Sequence, residues 1–477
     1  MTHLLPRGFG LAATLALASS LTVVPQADAQ STAAYVYVQV GGPAGAVYGY
    51  SANSSGQLTA ISGSPFKPGT AIVGGNGTQF FTLGETLLHS YSVGSNGAIG
   101  SQISQIPVYD YSGSDCGYSK YPDDSAVLDH TGKYMYVLLQ GGSSGACEAY
   151  QTYAITSSGG FTFIGDTETN IQNVEPVSGG TGLPSILGNE TFAYAGYYSG
   201  HILGLVGFQR ASSGELQSIQ FTETDPPLPN NYWASAAPDA SPTGNYLAVQ
   251  LYPGDSGPSY LGSYTVDSKG NISTTNTTSN MPILTGDSTT FSPSGGLLAN
   301  WGALNGGLEL YHFNGAAPFT PYQQLLNGVT IQQVVWDSSN HLYAISNSSN
   351  MIYVFTVTPT SVTEDSSYSI GSPNSVVVVS KTATSGCAAP SGNGVNVCSP
   401  AEGATVSSPV QISAAATVSG GVYRFEVWNG STKLISSDSN TIDQTLSLAA
   451  GSYKLTFDAY NSSKSTHEYA YRDITVK

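Results

Sequence analysis

Two serines sit in stretches that spell known nucleophile motifs. Residues 254–258 read Gly-Asp-Ser-Gly-Pro, close to the segment around the reactive serine of trypsin-like proteases, and Gly141-Gly142-Ser143-Ser144-Gly145 satisfies the G-x-S-x-G pattern of esterases. A serine attacks a carbonyl only when a base removes its proton and a carboxylate orients that base. For Ser256 the further Gly and the upstream Ala-Ala-His-Cys run of the protease pattern are absent. The esterase pattern acts only on a strand-to-helix turn, whereas residues 141–145 lie between two strand-like segments. Both serines are therefore expected in connecting loops. His89, His130, His201, His312, His341 and His467 are never spaced as i+2, i+3 or i+4 pairs, so no local metal-ligand motif is present and neither metal nor cofactor is expected. Asp129 and His130 are neighbours, but adjacent strand residues point to opposite faces and "LDHTGKY" is a turn, so they are expected at the surface. Glu190 and Arg210 either reach a central funnel or are ordinary solvated charges. No catalytic residue is assigned from these patterns.

Such residues need elements to hold them, and composition limits which. The chain has 477 residues, 9% of them charged, with 56 Gly and 31 Tyr. Its 30 acidic against 13 basic residues give a net charge of −17, which leaves no electrostatic footprint for a phosphate backbone. Nucleic acid is not an expected partner. Residues 1–29 read as a secretory signal: Arg7 precedes an apolar run from Leu11 to Val24, and Ala27-Asp28-Ala29 forms a small-residue cleavage site. That run is too short for a comfortable membrane span and no later segment approaches ~18 consecutive apolar residues, so a secreted or extracytoplasmic protein, in a periplasm or at a cell surface, is expected. In that oxidising setting Cys116 with Cys147 and Cys387 with Cys398 are expected as two local disulfides, each contributing roughly 2–4 kcal/mol. Zinc is the alternative, but neither pair has a histidine beside it.

A repeat organises most of the chain. An aromatic residue, a Gly six positions later and an apolar residue two beyond recur as Tyr50-Gly56-Leu58, Tyr91-Gly97-Ile99, Tyr153-Gly159-Phe161, Phe208-Gly214-Leu216 and Tyr264-Gly270-Ile272. Each reads as a strand reversed through a Gly able to take positive φ. Upstream of most stand an apolar strand, a turn and another strand, as in "SAVLDHTGKYMYVLL" (125–139) and "ASAAPDASPTGNYLAVQL" (234–251), with Asp129, Asp239 and Asp337 in the turn regions. Together these give seven units of about fifty residues between Tyr35 and Ser380. Short, evenly spaced strands without helical periodicity indicate an all-β fold, a seven-bladed β-propeller over residues 30–382. The chain enters at "AYVYVQV" without a preceding strand, while "SPNSVVVVS" (372–380) is a spare strand after the seventh hairpin. The last strand is expected to complete the first blade and so remove an open sheet edge.

The hairpin pattern, "GKYMYV" at 132–137 and "GQLTAISGSPF" at 56–66 resemble the lactonase-type seven-bladed propellers, which include the 6-phosphogluconolactonase-like proteins of bacteria. The resemblance implies that fold over about 350 residues and, as an activity, hydrolysis of lactones. After it, residues 383–399 are rich in Gly, Ser, Pro and Ala and read as a linker pinned by Cys387–Cys398. Residues 400–477 carry period-two strands and resemble an immunoglobulin-like β-sandwich of the kind appended to secreted bacterial proteins. Few ionisable residues and many Tyr and Asn favour a monomeric binding protein that takes a carbohydrate, small-molecule or protein ligand at the propeller mouth. An extracytoplasmic lactonase-like hydrolase is the alternative.

Overall fold

The computed structural model describes residues 32–108, 120–141, 147–168, 179–199, 202–223, 232–234, 238–253, 257–302, 306–380, 387, 389–406, 408, 410–437 and 440–477. The regular elements in these residues are all strands, and seven antiparallel sheets account for those between Thr32 and Ser380. Blades 2, 3, 6 and 7 each follow the chain from the innermost to the outermost strand; blade 3, for example, runs Lys120–Leu128, Tyr134–Gly141, Cys147–Ile155 and Phe161–Glu168. In blades 4 and 5 the innermost strand is split into two short pieces that pair with the same second strand.

Blade 1 is assembled from both ends of this stretch. Thr32–Val40 pairs on one side with Ala46–Asn53 and on the other with Pro373–Ser380, with Tyr35 opposite Val379 and Val38 opposite Val376. The innermost strand Gln333–Trp336 of blade 7 touches Pro373–Ser380, which in turn touches Ala71–Gly75 of blade 2. The sheets thus form a closed seven-bladed propeller.

What holds it is burial between blades. Second strands such as Gln79–Leu83, Leu297–Trp301 and His341–Ser346 are buried along their whole length, because a neighbouring sheet covers each face. They accordingly show no alternation of buried and exposed residues, and even their polar side chains, Thr82, Asn300 and Ser346 among them, are buried. Outermost strands such as Val362–Ser369 face water and are polar. The apolar core is divided into seven clusters, one in each gap between blades. The repeat's glycine serves this packing twice. Gly97, Gly214 and Gly270 take positive φ in their hairpins, and their carbonyls accept hydrogen bonds from Tyr37, Tyr136 and Tyr194 of the preceding blade at 2.6–2.7 Å.

Residues 394–476 form two sheets of a sandwich. One joins Gly394–Ser399, Val410–Thr417 and Thr441–Leu446; the other orders Thr405–Val406, His467–Val476, Gly451–Tyr460, Arg424–Asn429 and Thr432–Ser437. Between them lies a separate core that includes Ile412, Phe425, Val427, Leu455 and Phe457. Gly394–Ser399, placed in the linker from its composition, is instead a sandwich strand, since Val395 and Val397 pair with Ala416 and Ala414. Cys398 on that strand is bonded to Cys387, with Cα atoms 5.4 Å apart, so the bridge ties the connector to the domain's first strand. Cys116 lies outside the described residues, as does the side chain of Cys147, and with them the second expected bridge; so do residues 1–29.

Candidate functional site

The innermost strands of the blades run in one direction along the channel, so their C-terminal ends and the turns that follow ring a single mouth. A cavity of about 650 Å³ opens there, lined mainly by apolar side chains including Val127, Leu128, Phe291, Trp336 and Val376. Its polar lining is sparse: Asp239, His130, Gln333 and Thr290. Gln333 is fixed by its Oε1, which accepts from Val376 N (2.8 Å) and Ser375 Oγ (3.1 Å).

Asp239 is the most unusual of these groups. It lies on the inner piece Asp239–Ala240 of blade 5 and keeps part of its surface open to the cavity. Its Oδ2 accepts the Phe291 N–H of blade 6 at 2.6 Å. Burial among protein atoms disfavours the carboxylate and pushes its pKa up to about 7, against smaller opposing contributions from that backbone hydrogen bond and from the charge of His130. Asp239 was expected in a turn, together with Asp129 and Asp337. The latter two do anchor turns: Asp129 Oδ1 accepts from Lys133 N (2.9 Å) and Tyr134 N (3.0 Å), and Asp337 Oδ1 accepts from Ser339 N (2.8 Å) and His341 N (2.9 Å). In blade 5 the turn begins two residues later, at Ser241, whose hydroxyl takes that role for Thr243 N. Asp239 is left on the channel wall.

Behind His130 stands an ionic network between blades 3 and 4. The imidazole is 43% exposed and its Nδ1 lies 3.0 Å from Glu190 Oε1. Glu190 Oε2 accepts from Arg210 Nη1 at 2.6 Å, Asp129 Oδ2 accepts from Arg210 Nη2 at 2.7 Å, and Arg210 Nε donates to Tyr136 Oη at 2.8 Å. The guanidinium also lies over the Tyr134 ring, 4.7 Å from its centroid. Arg210 is 8% exposed, so it is not a solvated charge. It neutralises two carboxylates and thereby positions Glu190, which holds His130 at the cavity. Sequence spacing could not show this, because the four ionisable residues span positions 129–210 and meet only when consecutive blades pack.

Other candidates play structural parts. His341 and Asp337 form a buried pair at 2.7 Å, and Tyr343 donates to the same carboxylate oxygen at 2.9 Å. Burial opposes charge on this imidazole, but the bond to Asp337 and its charge prevail and raise the pKa. The trio closes a turn. His89 is buried in blade 2 against Tyr91, and His312 packs on Tyr322 in blade 6. Ser256, residues 142–146 and His201 lie outside the described residues. Among the described residues no cluster of three or more His, Cys, Asp or Glu is placed to hold a metal ion, and no helix is long and apolar enough to cross a membrane.

This arrangement of blades has solved counterparts. A candidate 6-phosphogluconolactonase from Bacteroides uniformis superposes with a TM-score of 0.51 at 13% identity, over 73% of this chain and 100% of its own. The periplasmic gluconolactonase of Pseudomonas aeruginosa does so with a TM-score of 0.51 at 15% identity, over 72% and 99%. The fold is that of the lactonase-type propellers. At such identities the likeness extends to the fold alone. Residues 394–468 match the bacterial Ig domain family. Among curated protein sequences none matches this chain.

Proposed function

We propose that the propeller is an extracytoplasmic hydrolase that opens a small lactone at this channel mouth, with Asp239 as general base. The observation that carries the reading is Asp239 itself: a carboxyl group with a pKa near 7 that lines a cavity shared with His130. A base is most effective when its pKa lies near the working pH, and such groups in clefts mark functional sites. In the reaction the Asp239 carboxylate takes a proton from water as the water oxygen adds to the lactone carbonyl carbon. Collapse of the tetrahedral oxyanion breaks the ring C–O bond. The proton held by Asp239 passes to the ring oxygen, giving the open hydroxy acid and restoring the carboxylate. His130 supports the charged form of the base, and the apolar walls suit the carbon skeleton of the ring. The likeness to gluconolactonase-type folds supports the substrate class by analogy only. The bacterial Ig domain and the Cys387–Cys398 disulfide support a location outside the cytoplasm.

A panel of sugar-acid and acyl lactones, assayed by proton release, tests this. Turnover is expected to rise with pH through about 7, and Asp239→Asn is expected to lower kcat/KM by roughly 10²-fold or more. No turnover across the panel would remove hydrolysis as the function. The largely apolar lining favours a second reading, a binding site without chemistry; calorimetric binding of a lactone that is never opened, retained by Asp239→Asn, would establish it.

A further inference from the structure

We infer that the channel mouth selects an uncharged lactone bearing an alkyl chain and rejects phosphorylated or carboxylated lactones. In naming a substrate this rests on the hydrolase reading of the same mouth; the selectivity itself is a property of the walls.

Charge excludes the anionic class. Between Thr32 and Ser380 the Lys and Arg residues are Lys67, Lys120, Lys133, Arg210 and Lys269. Among the described residues, none of them lines the cavity. Lys120 opens the innermost strand of blade 3, at the end remote from this mouth. Arg210 is committed to Asp129 and Glu190 at 2.7 and 2.6 Å, and Lys133 stands exposed in its turn. His130, the basic group of the described lining, has its Nδ1 against Glu190. A phosphate or carboxylate entering here would lose hydration, meet no free cation and face Asp239, which disfavours the anion.

The walls then separate hydrocarbon from polyhydroxy ligands. Blades 7, 1 and 2, consecutive in the ring, present Val335, Val378 and Val73 to the cavity; each is half-buried between two buried neighbours of its innermost strand. Asp239 comes from blade 5, across the ring from blade 1. A ligand whose carbonyl meets Asp239 therefore extends its remainder toward an arc of valines. Hydroxyls on that remainder would compete for groups already engaged: Gln333 Oε1 accepts from Val376 N and Ser375 Oγ, and Asp239 Oδ2 accepts from Phe291 N. A buried hydroxyl left unpaired weakens a complex, whereas each buried methylene strengthens it roughly fourfold. The cavity of about 650 Å³ has room for a ring and its chain.

The test uses the full chain with γ-butyrolactone, γ-octalactone, γ-decalactone, glucono-δ-lactone and 6-phosphoglucono-δ-lactone. Hydrolysis is followed on wild type, and binding by calorimetry on Asp239→Asn, which lacks the base. From γ-butyrolactone to γ-decalactone kcat/KM is expected to rise roughly a hundredfold or more, with affinity in the same order. Both sugar-acid lactones are expected to fall at least tenfold below γ-decalactone. The near-isosteric double variant Val73→Thr, Val335→Thr is expected to lower the decalactone-to-butyrolactone ratio at least fivefold, with the circular dichroism of wild type. Turnover of either sugar-acid lactone above that of γ-decalactone would overturn the selectivity and leave hydrolysis in place. Absence of turnover, with binding in the expected order, would remove the hydrolase reading and uphold the selectivity. Binding without dependence on chain length, no binding of γ-decalactone, or a ratio unmoved by the valine substitutions would overturn it.

Discussion

Asp239 holds a proton that an exposed aspartate loses near pH 4, and this sets its effect on stability. Between that value and its folded pKa of about 7 the native chain carries a proton that the unfolded chain has released, so stability falls as pH rises across the window. The contribution is fully present below about pH 4 and gone above about pH 7. Asp239→Asn, which never ionises, is therefore expected to show a higher urea midpoint than wild type at pH 8. The gap should shrink steadily toward pH 4; a gap that stays constant would show that the group titrates normally. A residue whose removal stabilises the fold while abolishing turnover is one retained for chemistry. A signal for it existed in the sequence. Counting back three places from the turn glycines Gly132, Gly244 and Gly295 reaches Asp129, Ser241 and Ser292, so Asp239 stands outside the turn. Its pKa was not legible, because the atoms that desolvate it come from blades distant in sequence. The partners of Arg210 were hidden for the same reason.

At the scale of the hairpin, the repeated glycine was visible from its spacing and its need for positive φ, but the second demand on it was not. A Cβ on Gly214 would lie 2.2 Å from Cδ1 and Cε1 of Tyr134, and on Gly97 2.3 Å from Cδ1 of Tyr35. Both tyrosines belong to the preceding blade, so local sequence could not report the close approach. Gly214→Ala thus combines a left-handed backbone at φ 90° with an overpacked contact, and is expected to destabilise by about 2–4 kcal/mol in chemical denaturation. Gly392→Ala, where an added Cβ meets nothing within 4 Å, is expected to change stability by less than about 0.5 kcal/mol. Equal effects at the two positions would mean that the tyrosine contact does not govern the hairpin. The sandwich boundary illustrates the converse difficulty. Gly394–Ser399 is short and flanked by Gly, Ser and Pro, and its strand character comes from pairing with Val410–Thr417 rather than from its own composition.

At the scale of the whole molecule, ring closure is what gives the site its walls. Pro373–Ser380 supplies the innermost strand of blade 1, contributes Val376 to the cavity and covers the edge of Thr32–Val40. This much followed from the sequence, because a unit missing its first strand at one end and a spare β-branched strand at the other can be satisfied together. Which mouth carries the polar groups did not follow, since that depends on where turns fall along each innermost strand. The closure makes a sharp distinction between two truncations. A chain ending at Lys381 lacks the sandwich but retains all seven sheets, and its propeller clusters are separate from the sandwich core. It is expected to remain a soluble monomer with one cooperative thermal transition. A chain ending at Gly371 is only ten residues shorter, yet it bares the Thr32–Val40 edge and strips Val376 from the gap between blades 7 and 1. Its unpaired edge is a template for another chain, and it is expected to aggregate or elute as oligomers on size-exclusion chromatography. Addition of a peptide spanning residues 372–381 should shift it back toward monomer, because the missing strand then pairs in trans. If the shorter chain melts like the longer one, the ring does not depend on its last strand, and the channel site loses the wall on which its geometry rests.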